Sequence, residues 1–282
     1  MKKIKLNNGI EMPIIGFGTF QITDPMQCEE CVINAINAGY RLIDTAEAYG
    51  NEKYIGNAIK KCGIDRSELF ITTKLNFNHF EENEAKEAIN RSLENLQTDY
   101  LDLVLLHWGF GNRYSAWRVL EEFYEQGKIR AIGVANFEPD MFIDLINFNK
   151  IKPVINQIET HLYCQRKEVH KWENKYDIAH QAYAPLGQGH INEMFSEEVV
   201  IRLSKKYGKT PAQILLRYQI ENGVIVIPKS VHINRIKENI DIFDFELTKD
   251  EINELSKLDK NTPIIGKPEQ PDFTEFAMSW VK

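Results

Sequence analysis

Short apolar runs alternate with longer amphipathic stretches along nearly the whole chain. The runs cover residues 14–17, 41–43, 69–73, 101–106, 129–134, 154–158, 178–183 and 224–227. Leu101-Asp102-Leu103-Val104-Leu105-Leu106 and Val224-Ile225-Val226-Ile227 are almost unbroken, as expected of parallel strands covered on both faces. Between the runs, Ala85, Ile89, Leu93 and Leu96 fall at helical spacing, as do Trp117, Leu120 and Tyr124 before Gly127. This strand–helix repetition predicts an α/β chain folded as a (β/α)8 TIM barrel. Ahead of it, Asn7-Asn8-Gly9 sits between Ile4-Lys5-Leu6 and Ile10-Glu11-Met12 and predicts an N-terminal β-hairpin. The tail, residues 260–282, is rich in proline and aromatics (Pro263, Pro268, Pro271, Phe273, Phe276, Trp280) and reads as a C-terminal loop over the barrel mouth rather than another helix. No linker or composition shift appears, so residues 1–282 read as a single barrel domain. A doubly wound sheet is the alternative, but Gly16-Phe17-Gly18-Thr19 lacks the third glycine and the helix start that would support it.

Composition narrows the function. With 282 residues, 43% of them hydrophobic, the chain can bury a large core. A net charge of −7 argues against nucleic-acid binding, which favours a basic face. No apolar run is long enough to span a membrane, and Met1-Lys2-Lys3-Ile4-Lys5 leads into no secretory apolar region. A cytoplasmic monomer is expected. The 4 cysteines include Cys28-Glu29-Glu30-Cys31, but no second pair stands at zinc spacing. That CxxC lies in a helical pattern capped by Asp24 and Pro25, so packed thiols are the expected reading and no metal is implied.

Asp44, Lys74, His107, Asn136, Gln157, Tyr183 and Lys229 each stand at or just beyond the end of a different predicted strand. In a barrel those ends converge on one mouth, where working residues are placed. A polar residue after one strand is ordinarily the start of a loop. Ionisable groups and amides after strand upon strand point to a site.

The chain resembles the aldo-keto reductase family over nearly its whole length. The motifs are Gly16-Phe17-Gly18-Thr19-Phe20, Asp44-Thr45-Ala46 with Tyr49-Gly50-Asn51-Glu52, Thr73-Lys74, and Leu106-His107-Trp108. Gly133-Val134-Ala135-Asn136-Phe137, Gln157-Ile158-Glu159, Ala182-Tyr183-Ala184-Pro185-Leu186-Gly187 and Ile227-Pro228-Lys229-Ser230 continue it in the family's order. The resemblance implies a catalytic tetrad of Asp44, Tyr49, Lys74 and His107, and NADPH/NADP+ as cofactor, bound without a Rossmann fold. It implies cofactor contacts from Asn136, Gln157, Tyr183, Leu186 and Gly187, and an adenosine-end set of Lys229, Ser230, Arg235, Glu238 and Asn239. Ala135 and Ala184 stand where the family commonly has serine, and Gly109 and Leu162 where it commonly has proline.

The implied roles make chemical sense. Hydride delivery to a carbonyl carbon builds charge on its oxygen, which needs a donor placed in advance. An ordinary phenol is a poor acid at neutral pH. Lys74 at ~4 Å would favour the Tyr49 phenolate by ~4 kcal/mol at an effective dielectric of ~20, and Asp44 at ~7 Å would take back ~2.4 kcal/mol. The expectation is a Tyr49 pKa lowered by about one unit. Neutral His107 would orient the carbonyl, Tyr183 would stack on the nicotinamide, and Asn136 and Gln157 would offer donors and acceptors to its carboxamide. Phe20 and Trp108, with Phe77 and Phe110, suggest an aromatic pocket for small aldehydes, ketones or dicarbonyls; Arg113 is the one loop cation with the look of a carboxylate clamp. The expected function is an NADPH-dependent carbonyl reductase, an NADP-dependent oxidoreductase. A nucleotide-binding barrel acting as a redox sensor or regulatory subunit is the alternative.

Overall fold

The computed structural model describes residues 2–266 and 270–281. It opens with a two-stranded antiparallel hairpin, β1 (Lys3–Lys5) and β2 (Glu11–Pro13). Gly9, at φ +89°, provides the left-handed turn that a side chain would resist. Asn7 donates to the carbonyls of Pro153 and Asp177, which fixes the hairpin across the end of the barrel away from the strand C-termini.

Eight parallel strands follow: β3 (Phe17–Gly18), β4 (Leu42–Asp44), β5 (Phe70–Leu75), β6 (Leu103–Leu106), β7 (Ile132–Ala135), β8 (Ile155–Glu159), β9 (Ala179–Tyr183) and β10 (Ile225–Val226). Each pairs with its sequence neighbour. The last rejoins the first through a parallel bridge between Ile15 and Val226 and a hydrogen bond from Gly16 N to Val226 O at 2.9 Å. The sheet is thereby closed into a (β/α)8 barrel. Gly16 permits the closure: a Cβ there would lie 2.5 Å from Leu42 Cγ.

The strands sort their residues with period two. Along β5, Phe70, Thr72 and Lys74 share the inner face, while Ile71 and Leu75 pack in the outer core and Thr73 hydrogen-bonds Glu52 at 2.7 Å. The inner apolar cluster includes Leu42, Leu105, Ile155 and Ile225. Truncating one such residue to alanine costs about 2–5 kcal/mol. The outer layer is α1 (Pro25–Asn37), α2 (Glu52–Lys61), α3 (Glu82–Leu96), α4 (Arg113–Glu125), α5 (Pro139–Asn147), α6 (Lys167–Tyr176), α7 (Ile191–Phe195), α8 (Glu198–Tyr207), α9 (Pro211–Glu221), α10 (Ile233–Ile240) and α11 (Lys249–Ser256). Asp24 caps α1 through Gln27 N at 2.8 Å, and Thr210 and Thr248 form capping boxes with Gln213 and Glu251. Cys28 and Cys31 face inward from α1, and burial pushes the Cys28 thiol up to about 12, so it stays protonated and inert.

The tail departs from expectation. It does lie at the mouth, but it contains a helix, α12 (Pro271–Met278), where an irregular loop was expected. Pro271 occupies the first helical turn, where its missing N–H leaves no bond unmade. Phe273 and Ala277, one turn apart, bury their side chains. Pro268 lies outside the described residues.

Among the described residues no helix is long and apolar enough to cross a membrane.

Candidate active site

Asp44 ends β4, and the chain turns at once into a short helical turn, Glu47–Tyr49, closed by Gly50 at φ +67°. Three side chains hold that turn. Asn51 donates to Thr19 O at 2.9 Å and to Ile22 O at 3.2 Å, and accepts from Thr45 Oγ1 at 2.8 Å. Glu47 accepts from Asn76 N at 3.2 Å and from Arg91 at 2.6 Å. Sequence reasoning gave Thr45, Glu47 and Asn51 no such part; polar residues after a strand carry no signal that separates a clamp from a solvated loop.

Lys74 enters from β5 and is wholly buried. Its ammonium donates to Asp44 Oδ1 at 2.6 Å and to Thr45 O at 2.7 Å, and it lies 3.4 Å from Tyr49 Oη. His107 follows β6, its ring 5.8 Å from that of Tyr49 and edge-on to it. The structure therefore brings Asp44, Tyr49, Lys74 and His107 together. Burial is the largest influence on each. It pushes the Asp44 carboxyl above its ordinary value against the opposing pull of Lys74, and it lowers the Lys74 ammonium against the support of Asp44. It drives His107 down to about 3, with Lys74 adding to the effect, so the imidazole is neutral at physiological pH.

The expected lowering of the Tyr49 pKa is not met. Burial, and then the Asp44 charge, hold the phenol well above its ordinary value. The arithmetic of two point charges left out desolvation, which here outweighs them. Tyr49 is consequently a fully protonated donor whose conjugate base has a cation within reach.

A cavity of about 730 Å³ opens above these groups. Asp44, Tyr49 and His107 line its floor, and Asn136, Gln157, Tyr183, Leu186, Gly187 and Lys229 line one side. Tyr183 donates its hydroxyl to Asn136 Oδ1 at 2.8 Å, which fixes its ring. Asn136 and Ala184, the first residues after β7 and β9, hold φ of 61° and 48°. For Ala184 that conformation costs about 1–2 kcal/mol, strain of the sort kept where a site needs a particular backbone path. Gly187, at φ +67°, leaves room for Met194 beneath the loop.

These residues fit a nicotinamide carboxamide, with one change to the expected roles. Both Gln157 amide hydrogens are already given, to Asp44 Oδ2 at 2.7 Å and to Gln181 Oε1 at 2.8 Å. Gln157 thus retains only an acceptor, and the donor that a carboxamide oxygen needs is the second N–H of Asn136, whose first goes to His107 O at 3.3 Å. Ser230, Arg235, Glu238 and Asn239 lie beyond the cavity lining, in the turn before α10 and on it. Ser230 Oγ accepts from His232 N at 3.1 Å, and Glu238 accepts from Thr210 Oγ1 at 2.6 Å. Lys229 and Arg235 are exposed, and among the described residues neither forms an ion pair.

Phe20 and Trp108 give the cavity an aromatic wall, to which the tail adds Trp280, its ring 5.8 Å from that of Trp108. Arg113 does not reach this wall. It donates to Gly109 O at 3.3 Å and to Asp144 at 3.2 Å, which ends its candidacy as a carboxylate clamp. Among the described residues no cluster of three or more His, Cys, Asp or Glu could hold a metal ion.

The Aldo/keto reductase family model matches residues 14–260. Glyoxal reductase of Bacillus subtilis (strain 168) is 41% identical over 272 residues, covering 95% of this chain and 96% of its own. Methylglyoxal reductase DkgA of Escherichia coli (strain K12) is 42% identical over 271 residues, covering 95% and 97%. Among solved structures, an aldo-keto reductase from a Medee basin deep-sea metagenome library matches with a TM-score of 0.93 at 41% identity, covering 95% of this chain and 98% of its own. A Bombyx mori aldo-keto reductase in complex with NADP matches with a TM-score of 0.89 at 33% identity, covering 94% and 95%.

Proposed function

The chain belongs to the aldo/keto reductase family, and from that premise we propose that it reduces small, uncharged aldehydes and dicarbonyls with NADPH, Tyr49 giving the proton. The observation that carries this reading is the buried Lys74 ammonium, held by Asp44 with the Tyr49 hydroxyl 3.4 Å away under the cavity. The glyoxal and methylglyoxal reductases among the relatives favour dicarbonyls, and the aromatic wall without a clamping arginine favours neutral ones.

Asn136, Gln157, Tyr183, Leu186 and Gly187 would hold the nicotinamide end of the cofactor. Lys229, Ser230, Arg235, Glu238 and Asn239 would serve its phosphate and adenosine end, and the two unpaired cations support the choice of NADPH over NADH. When bound, the reduced nicotinamide supplies the hydride to the carbonyl carbon. Tyr49 donates its hydroxyl proton to the carbonyl oxygen as charge develops there. The phenolate left behind faces Lys74, an attraction of ~5 kcal/mol at 3.4 Å and an effective dielectric of ~20. Asp44 keeps that ammonium charged against the pull of burial. Neutral His107 hydrogen-bonds the carbonyl oxygen without competing for the proton, and Tyr49 is reprotonated from solvent through the open side of the cavity.

A panel of glyoxal, methylglyoxal, simple aldehydes and ketones, followed by loss of nicotinamide absorbance, tests the reading. Turnover of the dicarbonyls is expected. Tight NADPH binding without turnover of any member would overturn it in favour of a nucleotide-binding sensor.

A further inference from the structure

Gln181 lies on the inner face of β9, below the mouth and wholly buried. In the parallel register of β8 and β9 it stands opposite Gln157. Its Oε1 accepts one Gln157 amide hydrogen at 2.8 Å, while the other goes to Asp44 Oδ2 at 2.7 Å. Its own Nε2 is buried without a hydrogen-bond partner among the described residues. An unmet amide donor in a barrel interior is costly, and leucine or methionine at this position would remove it, though only by leaving a Gln157 N–H without its acceptor. What the amide offers in return is an acceptor at one place. Turning the Gln157 amide over would aim its Oε1 at two other acceptors, Asp44 Oδ2 and Gln181 Oε1. The pair of acceptors therefore locks Gln157 with nitrogen toward Asp44 and oxygen free.

The geometry points to Gln181 as a positioning residue for the reaction: it fixes Gln157, so that Asp44 Oδ2 is held, Asp44 Oδ1 stays on Lys74, and Lys74 stays on Tyr49. Gln181 touches no reacting atom and acts only through this line. The line is continuous, running Gln181 to Gln157 to Asp44 to Lys74 to Tyr49 through contacts of 2.8, 2.7, 2.6 and 3.4 Å. Gln181 fixes the orientation of Gln157 as well, leaving its Oε1 as the acceptor for a carboxamide N–H. The inference rests on the carbonyl-reductase reading above.

Two measurements test it. In a glutamine-selective ¹⁵N-labelled protein, the Gln157 side-chain amide is identified by its loss in Gln157→Leu. Both its protons should be protected from exchange in the wild type, and one should lose protection in Gln181→Met. In turnover, Gln181→Met should lower kcat about tenfold, the effect of a lost hydrogen bond of about 1.4 kcal/mol, with KM for the carbonyl within about twofold. Its Tm should stay near that of the wild type, because the unmet Gln181 donor is removed while one buried Gln157 N–H loses its acceptor. In a Gln157→Leu background the same substitution should lower kcat no further, since it has nothing left to act through. Gln181→Leu repeats the test should the methionine variant fold poorly. Wild-type amide protection in Gln181→Met, a kcat within about twofold of wild type, or an undiminished effect in the Gln157→Leu background would each overturn the inference while leaving the reductase reading in place. A wild type that reduces no carbonyl would remove both, and the amide spectrum would then report only a structural hydrogen bond.

Discussion

Methionine at position 74 removes a charge from the barrel interior while nearly keeping its volume, which makes it the most informative single change. Lys74 Nζ is wholly buried, with partners at 2.6 Å on Asp44, 2.7 Å on Thr45 O and 3.4 Å on Tyr49. Without it, Asp44 keeps only the Gln157 amide among the described residues. Removing one member of a buried pair costs about 3–5 kcal/mol, and losing the support of the phenolate should lower turnover by roughly 10²–10⁴-fold. The two losses separate with pH. Burial already raises the Asp44 carboxyl against Lys74, so in Lys74→Met it rises further. Between its ordinary value and that raised value the native mutant binds a proton that the unfolded chain does not, so stability falls as pH rises through the window. Lys74→Met should therefore be destabilised more at pH 8 than at pH 5, with turnover lost at both. Urea unfolding at the two pH values and the absorbance assay measure this. Equal destabilisation at both, or wild-type turnover, would refute the reasoning.

Tyr49→Phe keeps the ring and removes the proton, so kcat should fall roughly 10²–10⁴-fold with NADPH affinity nearly unchanged; near-normal turnover would dismiss Tyr49 as the acid. Lys229→Ala should erase most of a roughly ten- to several-hundred-fold preference for NADPH over NADH while leaving NADH binding little changed, and equal wild-type affinities in a titration of both would defeat the phosphate assignment. Burial lowers His107 to about 3 and His170 to about 4, from an ordinary 6.5. Their contribution to stability is therefore whole above 6.5 and is lost as pH falls toward those values, because the unfolded chain takes up protons that the native one refuses. His170→Asn should flatten part of that slope in urea unfolding between pH 7 and 4.5, and a slope equal to that of the wild type would count against the assignment.

The barrel was legible because its strands are apolar runs of the right length and its polar residues end them. Asp44, Lys74, His107, Asn136, Gln157, Tyr183 and Lys229 all lie within three residues of a strand's C-terminal end, and closure of the sheet between Ile15 and Val226 gathers those ends at one rim. The helix Pro271–Met278 is not legible in the sequence, because proline ordinarily breaks a helix, though at a first turn it is neutral. Its inward residues, Phe273 and Ala277, are a single i, i+4 pair among other aromatics, too short a stripe to read. The direction of the Tyr49 shift is illegible for another reason. Sequence shows which charges are present, but not how completely the barrel excludes water from them.

The sharpest limit lies in β8 and β9. Alternation places Gln157 and Gln181 on the inner face, as it does every second residue, but it does not show which amide edge meets which partner. Glu159 illustrates the same point at the end of β8: wholly buried, it accepts from Ile264 N at 2.5 Å, Ile265 N at 3.0 Å and His161 Nε2 at 3.0 Å. Ile265 lines the cavity, so the strand that steadies Asp44 from below through Gln157 also ties down the tail above. In sequence the two residues are simply Gln-Ile-Glu. Their separate work follows from a strand that turns Gln157 inward and ends at Glu159, where the tail crosses it. A motif can carry that arrangement from protein to protein, but only the fold shows that the Gln157 amide nitrogen is already committed to Asp44 and Gln181 before any cofactor binds.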